Sequence, residues 1–145
     1  MATKWDPLVK KYQSKDRKEI GIIVKLRLQL KESQDSREKV VIRQKAISDQ
    51  IAADNALQSS DLVVMKVFLR DLSELEEQCN LQISNISESL AAFEEVNKST
   101  KATVRKYEFL QEQTARSVRL QQLRIENEAL DEWASQRHVP TSMAR

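Results

Sequence analysis

The residues of this chain whose types could do chemistry are paired carboxylates, Glu76 beside Glu77 and Asp131 beside Glu132. A carboxyl becomes a general acid only where a concave, water-poor pocket raises its pKa. Nothing in the surrounding sequence would build such a pocket. The other reactive groups are single. His138 and Cys79 are the only His and Cys, too far apart in sequence for a zinc or redox cluster. His138 reads as a helix C-terminal residue meeting the dipole. Cys79 has no partner for an intramolecular disulfide and reads as a small hydrophobe. The one glycine, Gly21, excludes Walker and dinucleotide-binding loops, which need several. No enzyme activity, metal or cofactor is expected.

The elements that carry these residues follow from what is missing. Between Pro7 and Pro140 there is no proline and one glycine, whereas a packed globule of 145 residues needs several turns built on them. Aromatics are 5% and charged residues 32%, with no alternating Val, Ile and Thr runs of the strand kind. The composition leaves long helices. Net charge is +2, and both signs interleave, as in Lys31–Lys39, which gives solvated helix faces and no nucleic-acid stripe. Lys10, Lys11, Lys15, Arg17 and Lys18 form the one lopsided stretch, read as a solvated N-terminal turn; an acidic partner or anionic membrane surface is the functional alternative. The N-terminus lacks the apolar core of a signal peptide, no run of about 18 apolar residues spans a membrane, and the SMAR ending is no prenylation signal. A cytoplasmic protein without membrane insertion is expected.

A heptad repeat organises the second half. Steps of three and four pass through Leu62, Met65, Leu69, Leu72, Glu76, Cys79, Ile83, Ile86, Leu90 and Phe93, then Asn97, Thr100, Val104, Tyr107, Gln111, Thr114, Val118, Gln121, Ile125, Glu128 and Glu132. Polar residues crowd toward the C-terminal part of this seam. The first half has a weaker stripe of Leu8, Tyr12, Ile20, Ile23, Leu26, Leu30, Val40, Ile47 and Ile51, interrupted by Ser33, Arg37 and Gln44. Gly21 inside it marks a bend or a close approach.

The expected fold is all-α: a two-helix antiparallel coiled-coil hairpin with a longer C-terminal helix, forming a single domain. Helix 1 would cover about 7–55 with Pro7 at its first position. The turn would fall at about 56–60, with Ser59, Ser60 and Asp61 as N-cap candidates. Helix 2 would cover about 61–137, ending at Val139 and Pro140, with 138–145 as a flexible tail. The alternative is one continuous helix, since neither Pro nor Gly enforces the break. In a hairpin, helix 1 would reach to about residue 110 and some 25 residues of helix 2 would project beyond it. That projecting segment has two apolar stripes. Tyr107, Val118 and Ile125 continue the seam, and Phe109, Leu120, Leu123, Leu130 and Trp133 lie about 140° away. A lone helix cannot bury both, so a partner is expected there.

Two stretches carry a family resemblance: Phe68–Leu90, and Arg105–Gln113 followed by Glu126–Arg137. In the latter, Arg105, Lys106, Glu108, Leu110, Glu128, Asp131, Glu132 and Ala134 form a basic pair, Glu, Leu, then Glu and Asp-Glu-x-Ala. Over about half of the chain this resembles the FliJ/YscO family of type III secretion central-stalk proteins, flagellar or injectisome. The resemblance implies a hairpin similar to the γ subunit of rotary ATPases. It implies that the end with both termini enters the hexameric secretion ATPase, promoting its assembly or activity. The remainder would face the export-gate membrane protein and meet secretion chaperones, placing the protein in the cytoplasm against the inner-membrane apparatus. It assigns Arg105, Lys106, Glu108, Leu123, Arg124, Glu128, Asp131, Glu132 and Trp133 to the ATPase-facing end; the alternative for each charge is a solvated face. A monomer is expected. The competing readings are a coiled-coil scaffold or tether subunit, which would be an obligate parallel dimer, then a secretion chaperone and, last, a nucleic-acid binder.

Overall fold

In a computed structural model the protein is described over residues 2–53 and 58–143, with side chains up to residue 137. The described residues are almost entirely helical and contain no strand. Helix α1 is Asp6–Ala53 and helix α2 is Ser59–Met143, 48 and 85 residues long. The Asp6 start follows from local hydrogen bonding. The Thr3 backbone N–H and hydroxyl donate to the Asp6 carboxylate at 3.0 and 2.7 Å, and the Trp5 N–H donates to the Thr3 hydroxyl at 3.3 Å. This satisfies donors that the first helical turn leaves without intrahelical partners. Pro7 follows, where its missing N–H costs nothing.

The expected turn lies partly outside the described residues, since 54–57 are not described. Ser59 and Ser60, expected in the turn, are already helical: Leu62 donates its N–H to the Gln58 carbonyl at 3.0 Å, closing the first α-turn two residues early. At the other end α2 continues past Pro140 to Met143. Proline there removes one hydrogen bond near the helix end, and its fixed φ remains helical. The expected tail at 138–145 is therefore helical as far as Met143, and the side chain of His138 lies outside the described set.

The chain divides into two compact units, Met1–Lys15 with Thr100–Arg145, and Asp16–Ser99. In the second unit every heptad position of α2 is withdrawn from solvent. Leu72, Cys79 and Asn97 are buried, and Leu62, Met65, Leu69, Glu76, Ile83, Ile86, Leu90 and Phe93 are half-buried. On α1, the buried or half-buried positions are Asp16, Glu19, Ile23, Leu26, Leu30, Ser33, Val40, Gln44, Ile47 and Ile51, again at steps of three and four with Arg37 exposed between them. Ile20, expected in this stripe, is instead 38% exposed, and Glu19 is 6% exposed. Heptad geometry prevails over the apolarity of a single residue here, because the Asn97 amide gives the Glu19 carboxylate a partner at 3.0 Å. Arg27 and Glu94 bridge α1 and α2 at 3.1 Å on the exposed flank.

Gly21 sits on the exposed side of an unbroken helix, and a Cβ built there would meet nothing within 4 Å. It marks no close approach.

In the first unit α2 contributes Thr100 and Val104, both buried, then Tyr107, Gln111, Thr114 and Val118, half-buried. From α1 come buried Val9 and half-buried Leu8 and Tyr12.

Candidate functional site

The first unit holds the residues expected to meet a partner, and it contains two different environments. The first is a clasp between the start of the chain and α2. Trp5 donates its indole N–H to the Thr114 hydroxyl at 3.1 Å, and the Gln111 amide donates to the Asp6 carboxylate at 2.6 Å. One turn on, the Gln13 amide donates to Glu108 at 2.9 Å. Tyr107 lies between two aromatic rings, stacked on Tyr12 at 5.4 Å and tilted against Trp5 at 5.9 Å. Lys106 reaches back over the Tyr107 ring at 6.0 Å. Hydrogen bonds from the Thr3 hydroxyl, the Gln111 amide and the Thr3 N–H hold the Asp6 carboxyl below its ordinary value of 3.8.

This clasp carries the pairing to Thr114, four residues beyond the expected limit near 110. The reason is that residues 3–6, ahead of and at the helix start, take part. Trp5 and Asp6 are functional-looking residues that the heptad count does not find. The available signal is an aromatic residue immediately before an acidic helix start.

The second environment begins after Val118. Every residue from 119 to 137 is exposed, although the segment carries Leu120, Leu123, Ile125, Leu130 and Trp133, each about half or more exposed. Leu120, Leu123, Leu130 and Trp133 share one face at helical spacing. Arg137 lies over the Trp133 ring at 5.0 Å, a contact that covers one side of the indole. Among the described residues, depressions along this stretch are bounded by α2, for example by Ser117, Leu120, Gln121 and Arg124. They are flanks of a helix, open to whatever packs there.

The nine residues assigned by resemblance therefore fall into two groups. Arg105, Lys106 and Glu108 are exposed beside the clasp, with Glu108 engaged by Gln13. Leu123, Arg124, Glu128, Asp131, Glu132 and Trp133 are exposed on the terminal segment.

The second unit has its own exposed apolar surface, which the heptad count also misses. The run from Leu62 to Leu69 is apolar except for Lys66, so the helix is apolar beyond its seam. Val63, Val64, Val67 and Phe68 are exposed, and so is Ile42 on α1. Ile47, Val64, Met65, Val67, Phe68 and Asp71 line a shallow groove of about 340 Å³.

Among the described residues no group of three His, Cys, Asp or Glu is placed to hold a metal ion, and no helix is long and apolar enough to cross a membrane. No protein-family model matches the chain, and comparisons with curated proteins and with solved structures give no match.

Proposed function

We propose that this chain is a non-enzymatic central stalk of a type III secretion export apparatus, acting in the cytoplasm at the inner membrane. Its two helices form an antiparallel coiled-coil hairpin. The terminal part of α2 inserts into the hexameric secretion ATPase and promotes its assembly or activity. The turn-proximal part of the second unit meets the export gate, and secretion chaperones are further partners.

The observation that carries the reading is the terminal segment of α2. A helix exposed on all sides from 119 to 137 still carries five large apolar residues, and a soluble helix without a partner has no use for them. Antiparallel pairing is supported by partner numbers that fall along α2 as they rise along α1: Trp5 with Thr114, Asp6 with Gln111, Gln13 with Glu108. The apolar residues at 63–68 supply a second contact surface for a protein that links two others. The family resemblance in residues 68–90 and 105–137 names those two others.

The mechanism is mechanical. A helical segment without six-fold symmetry inside a six-fold ring touches the subunits unequally and biases which interfaces close around ATP. Its effect is limited to the difference in its affinity for the ring's states.

The test uses the full chain and a rotary-type secretion ATPase. Leu123→Ala with Trp133→Ala should abolish stimulation of ATP hydrolysis and co-purification with the ATPase, while circular dichroism shows unchanged helicity. Undiminished stimulation by the double variant would falsify the insertion. A parallel scaffold dimer is separated by light scattering: the hairpin runs as a monomer of 16.8 kDa.

A further inference from the structure

Residues 52–61, AADNALQSSD, contain neither Pro nor Gly, so no residue of either kind determines where one helix stops and the other starts. The aliphatic part of the seam does not determine the register either. Leu62, Met65, Leu69 and Leu72 on α2, like Ile23, Leu26 and Leu30 on α1, repeat every heptad with interchangeable apolar side chains. Where only these residues meet, a slip of seven residues exchanges one apolar contact for another.

In one layer of the second unit polar side chains of both helices meet. Asn97 is 5% exposed and occupies a seam position of α2. Its side-chain nitrogen donates two hydrogen bonds, to Asp16 Oδ1 at 2.7 Å and to Glu19 Oε2 at 3.0 Å. Asp16 and Glu19 are three residues apart, on adjacent turns of the same face of α1. An amide N–H₂ has two hydrogens, and here each has its own carboxylate. Glu19 is as buried as the apolar Ile23 next to it along the seam, and Asp16 is half-buried.

We infer that Asn97, Asp16 and Glu19 form a register lock, which selects one alignment of α1 on α2 from those the aliphatic seam would accept. Sliding α2 by one heptad removes Asn97 from this level and brings, in one direction, Leu90. The two carboxylates then face an apolar side chain where the Asn97 amide had been, while Asn97 is carried into an aliphatic layer. Every such slip therefore separates the buried amide from both carboxylates, and the aligned register does not. A single buried Asn plays this part in parallel coiled coils, where it selects register at a cost in stability. Here one amide meets two carboxylates, so both ends of the interaction are intolerant of a slip. The inference is independent of which partner the chain binds.

The experiment measures a distance along the helices. In the full chain with Cys79→Ala, spin labels are placed at the exposed positions Lys25→Cys and Ser84→Cys and their separation is read by pulsed dipolar spectroscopy. The otherwise native chain should show one distance. The variant Asp16→Leu with Glu19→Leu and Asn97→Leu should fold with equal or greater thermal stability. It should show at least one further population at a distance shifted by several ångströms, because the helices themselves slip by about 10 Å, seven residues at 1.5 Å each. Asp16→Asn with Glu19→Gln keeps a carbonyl oxygen before each Asn97 hydrogen and should retain the single distance. One sharp distance in the leucine variant overturns the inference, as does loss of the single distance in the amide variant. Failure of the leucine variant to fold overturns it too, because the layer would then be needed for folding itself.

Discussion

Trp5 and Thr114 lie 109 residues apart in sequence and share a hydrogen bond of 3.1 Å, from the indole N–H to the hydroxyl oxygen. The bond fastens the chain to α2 ahead of the first helical residue of α1, next to the Asp6–Gln111 bond of 2.6 Å. Thr114→Val keeps the shape of the side chain and removes the acceptor. It should cost about 1 kcal/mol, the usual net value of one such bond. Trp5→Phe should cost a similar amount, and the double variant little more than either single one. Chemical denaturation of the four proteins gives this cycle, and strictly additive losses would show that the bond contributes nothing.

The same clasp gives an acid-sensitive step. The Asp6 carboxyl is held below its ordinary 3.8, so it binds a proton more weakly in the folded chain than in the unfolded one. Its stabilising contribution is complete above the ordinary value and disappears as pH falls through the lower, folded value. In a Trp133→Phe background, Trp5 is the only indole and its emission reports the clasp. The emission should stay constant from neutral pH to about 5 and change below pH 4. Asp6→Asn should flatten the part of that change due to Asp6. An identical acid titration in the two proteins would assign the change to other carboxyls.

How much of this was legible in the sequence depends on whether a residue's neighbour lay on its own helix. Two long helices follow from the missing glycine and proline, which is local information. The half-buried and buried positions of α2 from Leu62 to Val118 recur at steps of three and four, which one helix displays by itself. The α1 face was harder to read. Apolarity points to Ile20, whereas the partner helix accepts Glu19, and the reason is Asn97, 78 residues away. A buried carboxylate looks like an error until its donor is found. The clasp was hidden for the same reason, since Trp5 and Asp6 acquire their roles only from Thr114, Gln111 and Tyr107. Surface apolar residues such as Val63, Val64 and Val67 were visible in the composition but not as a patch, because the seam residues between them are equally apolar.

Gly21 offers a clean gain in stability. It lies in the interior of α1, and an added Cβ meets nothing within 4 Å. Glycine costs a helix roughly 0.5–1 kcal/mol relative to alanine, through the freedom it has in the unfolded chain. Gly21→Ala should raise stability by about that amount and leave the pairing contacts unchanged. A fall in the melting temperature would reveal that the backbone at this position needs glycine for a reason other than space.

Two leucines nine residues apart on α2 separate burial from helix propensity. Leu72 is 6% exposed in the seam, and Leu81 is 64% exposed. Alanine is at least as good a helix former as leucine, so neither substitution harms the helix as such. Leu72→Ala removes buried methylene groups and leaves a cavity against α1, at a cost of about 2–3 kcal/mol, the lower part of the range for core leucines because the seam is thin. Leu81→Ala removes side-chain atoms already in water and should change stability by less than about 0.5 kcal/mol. Urea unfolding followed by circular dichroism measures both. Equal losses would mean that Leu81 is covered in solution, which analytical ultracentrifugation would register as a second copy of the chain. A negligible loss for Leu72 would mean that α1 does not pack on that face, and the hairpin itself would then be wrong.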